Sequence, residues 1–319
     1  MQRILKIGTR ESQLAVWQAT LVKDLLEDLG LDAELEFVRS EGDIDLNTPL
    51  YAMGVQGVFT RTLDAALLQN RIDIAVHSMK DVPIQLPQGI TDAAVLKRAS
   101  PMDILVVNGE MSGVREKLKI SAGGQGETIR IATSSIRRKA QWLHRYPNHQ
   151  IENLRGNVNT RLAKLASSDW QGAIFAAAGL ERIHLRPPQS IELDWMLPAP
   201  AQGAIIVVCR EHDESVREIC KLIHDDATGL CTRIERGFLK TLMGGCSTPV
   251  SALAELEEDE IYFRGSIISL DGKQKVEVER VLPADQAWDM GKEAAVELLN
   301  KGGDKIAEQF RRGSNYDTK

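Results

Sequence analysis

The strongest constraint on the fold is a repeated alternation of short apolar runs and helix-like segments along the first two-thirds of the chain. A strand pattern over 4–8 is followed by apolar residues at helical spacing over 12–29. The same order repeats with a strand over 33–39, a helix over 59–69 and a strand over 71–77. Because parallel strands need crossover connections, this βαβ order predicts a mostly parallel sheet with helices on its faces.

A second unit of the same kind spans about 103–195, and the pattern then changes. From about residue 217, a long helix pattern over 227–243 leads to alternating strands and to an amphipathic helix over 287–299. We therefore predict an α/β chain with two βαβ domains plus a small α+β C-terminal domain with an antiparallel sheet. The apolar strand 204–209 is placed to return to the first sheet, which makes the first domain discontinuous. The predicted domains are 1–100 with 197–216, then 101–196, then 217–319.

The charge and hydropathy of the chain exclude several classes of protein. The net charge is −6 and the pI is about 5.6, whereas proteins that bind nucleic acid or anionic membranes present basic surface. An anion site on this chain must therefore be a local concentration of arginine. The N-terminus passes directly into a strand pattern without the apolar core of a signal peptide, and no apolar run has the length of a membrane span. We expect a cytoplasmic protein without nucleic-acid or membrane partners.

The cysteines predict no metal site. The chain has four of them, Cys209, Cys220, Cys231 and Cys246, and none forms a Cys-x-x-Cys pair, while the histidines are scattered. The first three lie in strand or helix patterns, where a cysteine usually behaves as a small buried hydrophobe. Cys246 lies in a loop between two glycines and Ser-Thr-Pro, where a thiol can be reached, although most loop cysteines are inert.

Three strand-to-helix junctions share one design. Each has Ser, Thr or Asn where a helix N-cap belongs and at least one Arg within a turn of it. A helix N-terminus offers free N–H groups and a positive dipole end, and Arg binds a carboxylate or phosphate bidentately. Capping and solvated Arg explain any single junction. Three at one sheet edge predict a ligand with several anionic groups. The junctions are 8–12, 132–138 and 154–161, and Arg182 lies near the next helix start.

A further strand end has a mixture of polar and ionisable side chains. The strand 71–77 runs into His77, Ser78, Lys80 and Asp81 before Pro83 interrupts regular structure. Open α/β folds bind ligands at the carboxyl ends of their strands. Taken alone, the segment is slightly better interpreted as an ordinary strand-to-loop exit with a solvated Lys-Asp pair.

In combination and in this order, these motifs resemble the porphobilinogen deaminase family, also called hydroxymethylbilane synthases. The resemblance extends from Ile7 to at least Leu256. The matching segments are Gly-Thr-Arg-Glu-Ser-Gln-Leu-Ala (8–15), Ala-Val-His-Ser-Met-Lys-Asp-Val-Pro (75–83), Ala-Thr-Ser-Ser-Ile-Arg-Arg (132–138), Leu-Arg-Gly-Asn-Val-Asn-Thr-Arg-Leu (154–162), Pro-Ala-Gln-Gly-Ala-Ile (200–205) and Gly-Gly-Cys-Ser-Thr-Pro (244–249).

The resemblance implies a fold and an activity. The two βαβ domains are implied to be like type II periplasmic binding proteins, and the third domain to hold a dipyrromethane cofactor through a thioether to Cys246. The implied enzyme is a transferase of haem (porphyrin) biosynthesis. It condenses four porphobilinogen units head-to-tail onto the cofactor with loss of ammonia, and hydrolysis then releases hydroxymethylbilane. Porphobilinogen is the implied partner, and we expect a monomer.

The resemblance also implies roles for individual residues. Asp81 matches the family's catalytic aspartate. Its carboxylate is implied to stabilise the pyrrole cation that forms when ammonia is lost, and to act as a general acid and base. A direct role for His77 is less strongly implied. Besides Cys246, the implied cofactor-binding residues are Ser78, Lys80, Thr133, Ser135, Arg137, Arg138, Arg155, Gly156 and Asn157. The implied substrate-binding residues are Arg10, Ser12, Arg155, Arg161, Arg182 and Gln202.

Two positions depart from the family pattern. Gln56, in Gly54-Val55-Gln56-Gly57, stands where the family usually has a lysine, and Met243 stands where an acidic residue often precedes Gly-Gly-Cys. Because Asp81, the arginines and Cys246 are retained, we expect an active enzyme. The alternatives are a non-catalytic carboxylate-binding protein on the same scaffold and a paralogue with impaired turnover.

Overall fold

Two five-stranded sheets and one three-stranded sheet organise the part of the chain that the structure describes. The structure is a computed structural model, and it describes residues 4–39, 60–121, 127–242 and 248–313. The predicted loop 54–57, Met243 and Cys246 lie outside these ranges. No helix within them is long and apolar enough to cross a membrane.

The first sheet has the strand order β2-β1-β3-β10-β4. Its strands are β1 (Leu5–Thr9), β2 (Ala33–Phe37), β3 (Ile74–Ser78), β4 (Ile90–Val95) and β10 (Ile205–Arg210). β1 is parallel to β2 and β3, whereas β10 is antiparallel to both β3 and β4. Helices α1 (Gln13–Asp28) and α7 (Glu214–Lys221) pack on one face, and α2 (Arg61–Leu68) packs on the other. Buried on both faces, β10 is apolar almost throughout, as such strands generally are.

The second sheet repeats this arrangement with the order β7-β6-β8-β5-β9. Its strands are β5 (Asp103–Val107), β6 (Arg130–Ala132), β7 (Gln150–Glu152), β8 (Gly172–Ala176) and β9 (Ser190–Glu192). Its helices are α3 (Met111–Ser121), α4 (Ile136–Arg145), α5 (Val158–Ala166) and α6 (Ala177–Glu181). As in the first sheet, the fourth strand is antiparallel to both of its neighbours.

The third sheet is antiparallel and lies against helices. It consists of β11 (Val250–Glu257), β12 (Glu260–Ile268) and β13 (Lys275–Pro283), with α8 (Asp226–Thr241), α9 (Met290–Leu298) and α10 (Asp304–Gly313). Helices α8 and α9 approach closely at Gly291, where an added Cβ would lie 1.9 Å from the Ile234 carbonyl oxygen. The predicted α/β class, with two βαβ units and a C-terminal antiparallel sheet, is confirmed. The exact domain boundaries stay a prediction.

Glu235 on α8 joins the C-terminal domain to the first one. This fully buried carboxylate accepts hydrogen bonds from Arg98 Nη1 (2.6 Å) and from the backbone amides of Ala201 (2.6 Å) and Ala254 (2.8 Å). Burial raises the pKa of Glu235, although Arg98 and the amides favour its charged form. Helix α8 is thereby fixed against the segment that leads into β10.

Candidate functional site

Asp103, at the start of β5, lies at the centre of the predicted site, although the sequence did not predict a role for it. This fully buried carboxylate accepts from Arg137 Nη2 (2.6 Å), from Arg138 Nη2 (2.7 Å) and Nε (3.0 Å), and from Gln202 Nε2 (2.9 Å). Burial opposes its ionisation, but the two guanidinium groups outweigh burial and hold the pKa of Asp103 well below its usual range. Asp103 therefore carries a negative charge that fixes both arginines.

The same two arginines also bind backbone carbonyls. Arg137 Nη1 donates to Leu197 O (2.7 Å), and Arg138 Nη1 donates to Ile174 O (3.0 Å). Part of each guanidinium fork is thus occupied by the protein itself. The arrangement orients two positive charges rigidly, which is the preorganisation that an anionic ligand needs.

Gln202 connects the Asp103 cluster to the end of β3. Its Nε2 donates to Asp103 and to Pro101 O (2.7 Å), while its Oε1 lies 3.4 Å from Lys80 Nζ. The backbone turns tightly here, and at Gly203 (φ 91°) an added Cβ would lie 2.5 Å from the Ala99 carbonyl oxygen. The turn that positions Gln202 therefore requires glycine at the next residue.

Lys80 is a half-buried ammonium group with a lowered pKa. Burial is the main cause and Arg138 adds to it, while Asp81 opposes it, so that the pKa of Lys80 falls to about 8. Asp81 ends the 3₁₀ turn Met79–Asp81, and its side chain is exposed. The aspartate is thus reachable from solvent beside a set of buried cations.

Arg161, in the second domain, interacts electrostatically with Asp81. Burial first, and then Arg138, lower the pKa of Arg161 to about 10, while Asp81 opposes this shift. The Nε of Arg161 donates to the carbonyl of Gly156 (2.7 Å), which precedes α5. The predicted catalytic carboxylate and a predicted substrate arginine therefore interact electrostatically between the two βαβ domains.

The predicted helix N-caps are confirmed at the junctions. Ser135 accepts from the amide of Arg138 (3.4 Å) and begins α4, while Asn157 accepts from the amide of Thr160 (2.9 Å) and begins α5. Thr133 accepts from the Ser135 amide (3.2 Å). Ser12 occupies the N-cap position of α1 but makes no capping hydrogen bond with its side chain.

The remaining predicted residues lie around this centre in different settings. Ser78 hydrogen-bonds the Gln18 amide of α1 (2.8 Å). Arg182 Nη2 donates to the Gly203 carbonyl (2.6 Å), and its guanidinium lies 5.7 Å from the centre of the Trp17 ring. Burial lowers the pKa of Arg182 to about 10. Arg182 thus contacts the Gln202 turn directly, and its binding of substrate stays a prediction.

The charges of the site fit a ligand with several carboxylates. Electrostatic interactions link the acidic Asp81 and Asp103 to a larger number of cations. Those cations are Lys80, Arg137, Arg138 and Arg161, and Arg155 in turn interacts with Arg161. Because the excess positive charge is largely buried, a polyanionic ligand would compensate it more strongly than water and salt do. A dipyrromethane with acetate and propionate arms has the required charge.

His77 lies beside Arg10 at the ends of β3 and β1. The parallel register pairs Gly8 of β1 with Ala75 of β3, and Arg10 and His77 are each two residues further along the chain. The Nε2 of His77 is buried and has no hydrogen-bond partner among the described residues. Burial, and secondarily Arg10, lower the pKa of His77 to about 4, so the imidazole is neutral at physiological pH.

The low pKa of His77 predicts a loss of stability in acid. In the unfolded chain the pKa of His77 has its ordinary value of 6.5, so the unfolded state binds the proton at a higher pH than the folded state does. The free energy of unfolding is therefore unaffected by His77 above about pH 6.5 and falls as the pH drops towards 4. The full penalty is about 3 kcal/mol. Urea unfolding at pH 7.5, 5.5 and 4.5 tests this with His77→Gln, which should lose less stability in acid than the wild type. Replacing the exposed His212 by Gln is the control, and an unchanged acid slope in His77→Gln would contradict the prediction.

Comparison with known proteins gives consistent results along the chain. A family model described as "Porphobilinogen deaminase, dipyromethane cofactor binding domain" matches residues 5–218, and one described as "Porphobilinogen deaminase, C-terminal domain" matches 229–300. A porphobilinogen deaminase of Maridesulfovibrio salexigens is 37% identical over 311 residues, which cover 96% of this chain and 98% of the relative. One of Syntrophotalea carbinolica is 40% identical over 306 residues, covering 95% and 94%. Among solved structures, the periplasmic VFT2 domain of Bordetella pertussis BvgS is 14% identical, with a TM-score of 0.40 over 68% of this chain and 84% of that one.

Proposed function

The chain belongs to the porphobilinogen deaminase family, and from this premise we propose how its residues perform the reaction. The enzyme is a transferase of tetrapyrrole synthesis that builds hydroxymethylbilane from four porphobilinogen units on a dipyrromethane cofactor. The observation that supports the site assignment is the buried group of arginines, fixed by Asp103, next to the exposed Asp81.

The residues that would hold the dipyrromethane offer a thiol for its attachment and cations and hydrogen-bond donors for its carboxylate arms. Cys246 would supply the thioether. The basic side chains Lys80, Arg137, Arg138 and Arg155 would face the carboxylate arms. The capped junctions at Ser135 and Asn157, with Ser78, Thr133 and Gly156, would add hydroxyl and backbone N–H donors. When bound, the cofactor supplies the free pyrrole α-carbon to which the first unit is joined.

Asp81 is proposed to handle charge and protons at each condensation. The substrate's C–N bond breaks, ammonia leaves, and the resulting methylene carbon bonds to the α-carbon of the acceptor pyrrole, which loses its proton. An exposed carboxylate at this position stabilises the cationic pyrrole and accepts the proton that the acceptor α-carbon loses. Each of these effects is typically worth about two to four powers of ten in rate for such groups.

The other arginines are proposed to bind the arms of the incoming substrate. Arg161 interacts electrostatically with Asp81. Arg10 and Ser12 lie directly after β1, before α1 begins. Arg182 and Gln202 meet at the Gly203 turn. Binding the acetate and propionate groups would orient the pyrrole nitrogen towards Asp81, and positioning of this kind contributes much of the rate in two-substrate reactions.

The finer proposals concern the state of the enzyme in the cell. We propose a monomeric, cytoplasmic hydroxymethylbilane synthase that acts without nucleic acid, with the domain division 1–100 and 197–216, 101–196, and 217–319. A carboxylate-binding protein would need the buried arginines but neither an exposed Asp81 beside them nor a cofactor-binding domain.

A product assay tests the function. Purified protein is incubated with porphobilinogen, and released ammonia and the tetrapyrrole, measured as porphyrin after acid oxidation, are followed together. We expect four ammonia molecules for each tetrapyrrole. Failure to consume porphobilinogen, in protein that has its cofactor attached, would indicate the impaired paralogue instead.

A further inference from the structure

Arg236 on α8 binds the loop that contains Asp81. Its Nη1 donates to Val82 O (3.1 Å) and Met79 O (3.4 Å), and its Nη2 donates to Pro83 O (2.7 Å) and Ile84 O (3.3 Å). One guanidinium group from the C-terminal domain thus binds one carbonyl inside the catalytic turn, that of Met79, and the three consecutive carbonyls of 82–84 directly after it.

Three of these carbonyls, those of 82–84, lie outside any helix or strand. The loop leaves β3 through one 3₁₀ turn, closed by the Val82 amide on Met79 O (3.2 Å), and Pro83 has no N–H with which to extend it. Backbone carbonyls away from water need donors, and a guanidinium offers five in a fixed plane. Arg236 therefore determines the shape of a loop that cannot determine it alone.

The neighbouring residue on α8 fixes the other side of the site. Glu235 accepts from Ala201, which directly precedes Gln202, and Gln202 contacts both Lys80 and Asp103. Adjacent residues of one helix thus hold the Asp81 loop and the Gln202 turn. In the sequence, Cys246 is ten positions after Arg236.

We propose that Arg236 is a positioning residue that sets Asp81 relative to the chain growing from the C-terminal domain. This inference rests on the proposed role of Asp81. It assigns to the C-terminal domain a function beyond cofactor attachment, namely control of the geometry of the catalytic loop. A shift of about 1 Å in such a group costs on the order of 10²-fold in rate.

The test uses Arg236→Gln and Arg236→Lys, with Arg233→Gln as the matched control. Arg233 lies on the same helix, but it is exposed and its guanidinium lies 3.4 Å from the centre of the Trp288 ring, away from the loop. We expect kcat of Arg236→Gln to fall by about 10²-fold, whereas KM should change much less. The intact mass of the variant should show that the cofactor is still attached. Arg236→Lys should recover part of kcat, and Arg233→Gln should behave as the wild type.

Hydrogen exchange supplies a readout that loss of stability alone would not give. The amides of residues 79–82 and of Ile84 should exchange faster in Arg236→Gln, while amides of β11 and β12 stay protected. A wild-type kcat in loaded Arg236→Gln, or faster exchange spread evenly over the C-terminal domain, would overturn the proposal. If Arg236→Gln does not fold, Arg236→Lys provides the same comparison. If the proposed function itself is wrong, the wild type and Arg233→Gln will also show no turnover.

Discussion

Replacing Asp81 with asparagine is expected to lower kcat by roughly 10²- to 10⁴-fold without disturbing the fold. Asparagine keeps the shape of the side chain but removes its negative charge and its ability to take a proton. Because the Asp81 side chain is exposed, at the end of a short turn, we expect the free energy of unfolding to change by no more than about 0.5 kcal/mol. Steady-state kinetics with porphobilinogen and urea unfolding measure the two quantities.

An exposed aspartate elsewhere supplies the control for this substitution. Asp24 lies on the outer surface of α1, and Asp24→Asn should leave both kcat and stability unchanged. Near-normal turnover in Asp81→Asn would show that the catalytic role lies on another residue. A loss of turnover matched by a loss of stability would show that Asp81 acts through the fold.

Replacing Asp103 with asparagine is expected to destabilise the protein by about 3–5 kcal/mol. The change preserves the size of the side chain, so the loss reports the charge. Two buried guanidinium groups, those of Arg137 and Arg138, would remain without their counter-ion. Breaking a buried ion pair from one side is costly because the other charge stays desolvated. Urea unfolding at neutral pH measures the change.

The control for the Asp103 substitution is a solvent-exposed ion pair on the protein surface. Asp169 pairs with Arg130, and the Asp169 side chain is 70% exposed, so Asp169→Asn should cost less than about 1 kcal/mol. An equally small effect in Asp103→Asn would mean that the site does not depend on Asp103 to hold its arginines.

Local signals in the sequence predicted the junctions of the site. The N-caps at Ser135 and Asn157 and the strand end at Ser78 depend on neighbouring residues, so spacing and residue type were sufficient to find them. The strands β4 and β9 were not predicted, because β9 has a single apolar residue and β4 contains Thr-Asp near its start, so neither has a clear strand pattern. The α/β architecture followed from longer segments whose periodicity is clear.

Long-range contacts could not be predicted in the same way. Asp103 obtains its role from Arg137 and Gln202, which are 34 and 99 residues away. Its one local signal is an acidic residue at the start of an otherwise apolar strand, which also fits a solvated strand end. Arg236 is 153 residues from Pro83, and in the sequence it is one of several charged residues on a long helix. Only the folded arrangement distinguishes such residues from an ordinary charged surface.

The three described cysteines bear on where a cofactor can attach. Cys209, Cys220 and Cys231 are buried. Burial raises the pKa of the Cys220 thiol to about 12 and that of Cys231 to about 11. Since the thiolate is the reactive form, these side chains are poor nucleophiles. Cys246 is therefore the attachment site that we expect.

The intact mass of the purified protein shows whether Cys246 carries the cofactor. Wild-type protein made in a cell that supplies porphobilinogen should exceed its sequence mass by one dipyrromethane unit, and Cys231→Ala should retain that increment. Cys246→Ser should have the mass of its sequence alone. An unmodified wild-type thiol, or an increment that persists in Cys246→Ser, would contradict the assignment of this chain as an enzyme that builds its product on Cys246.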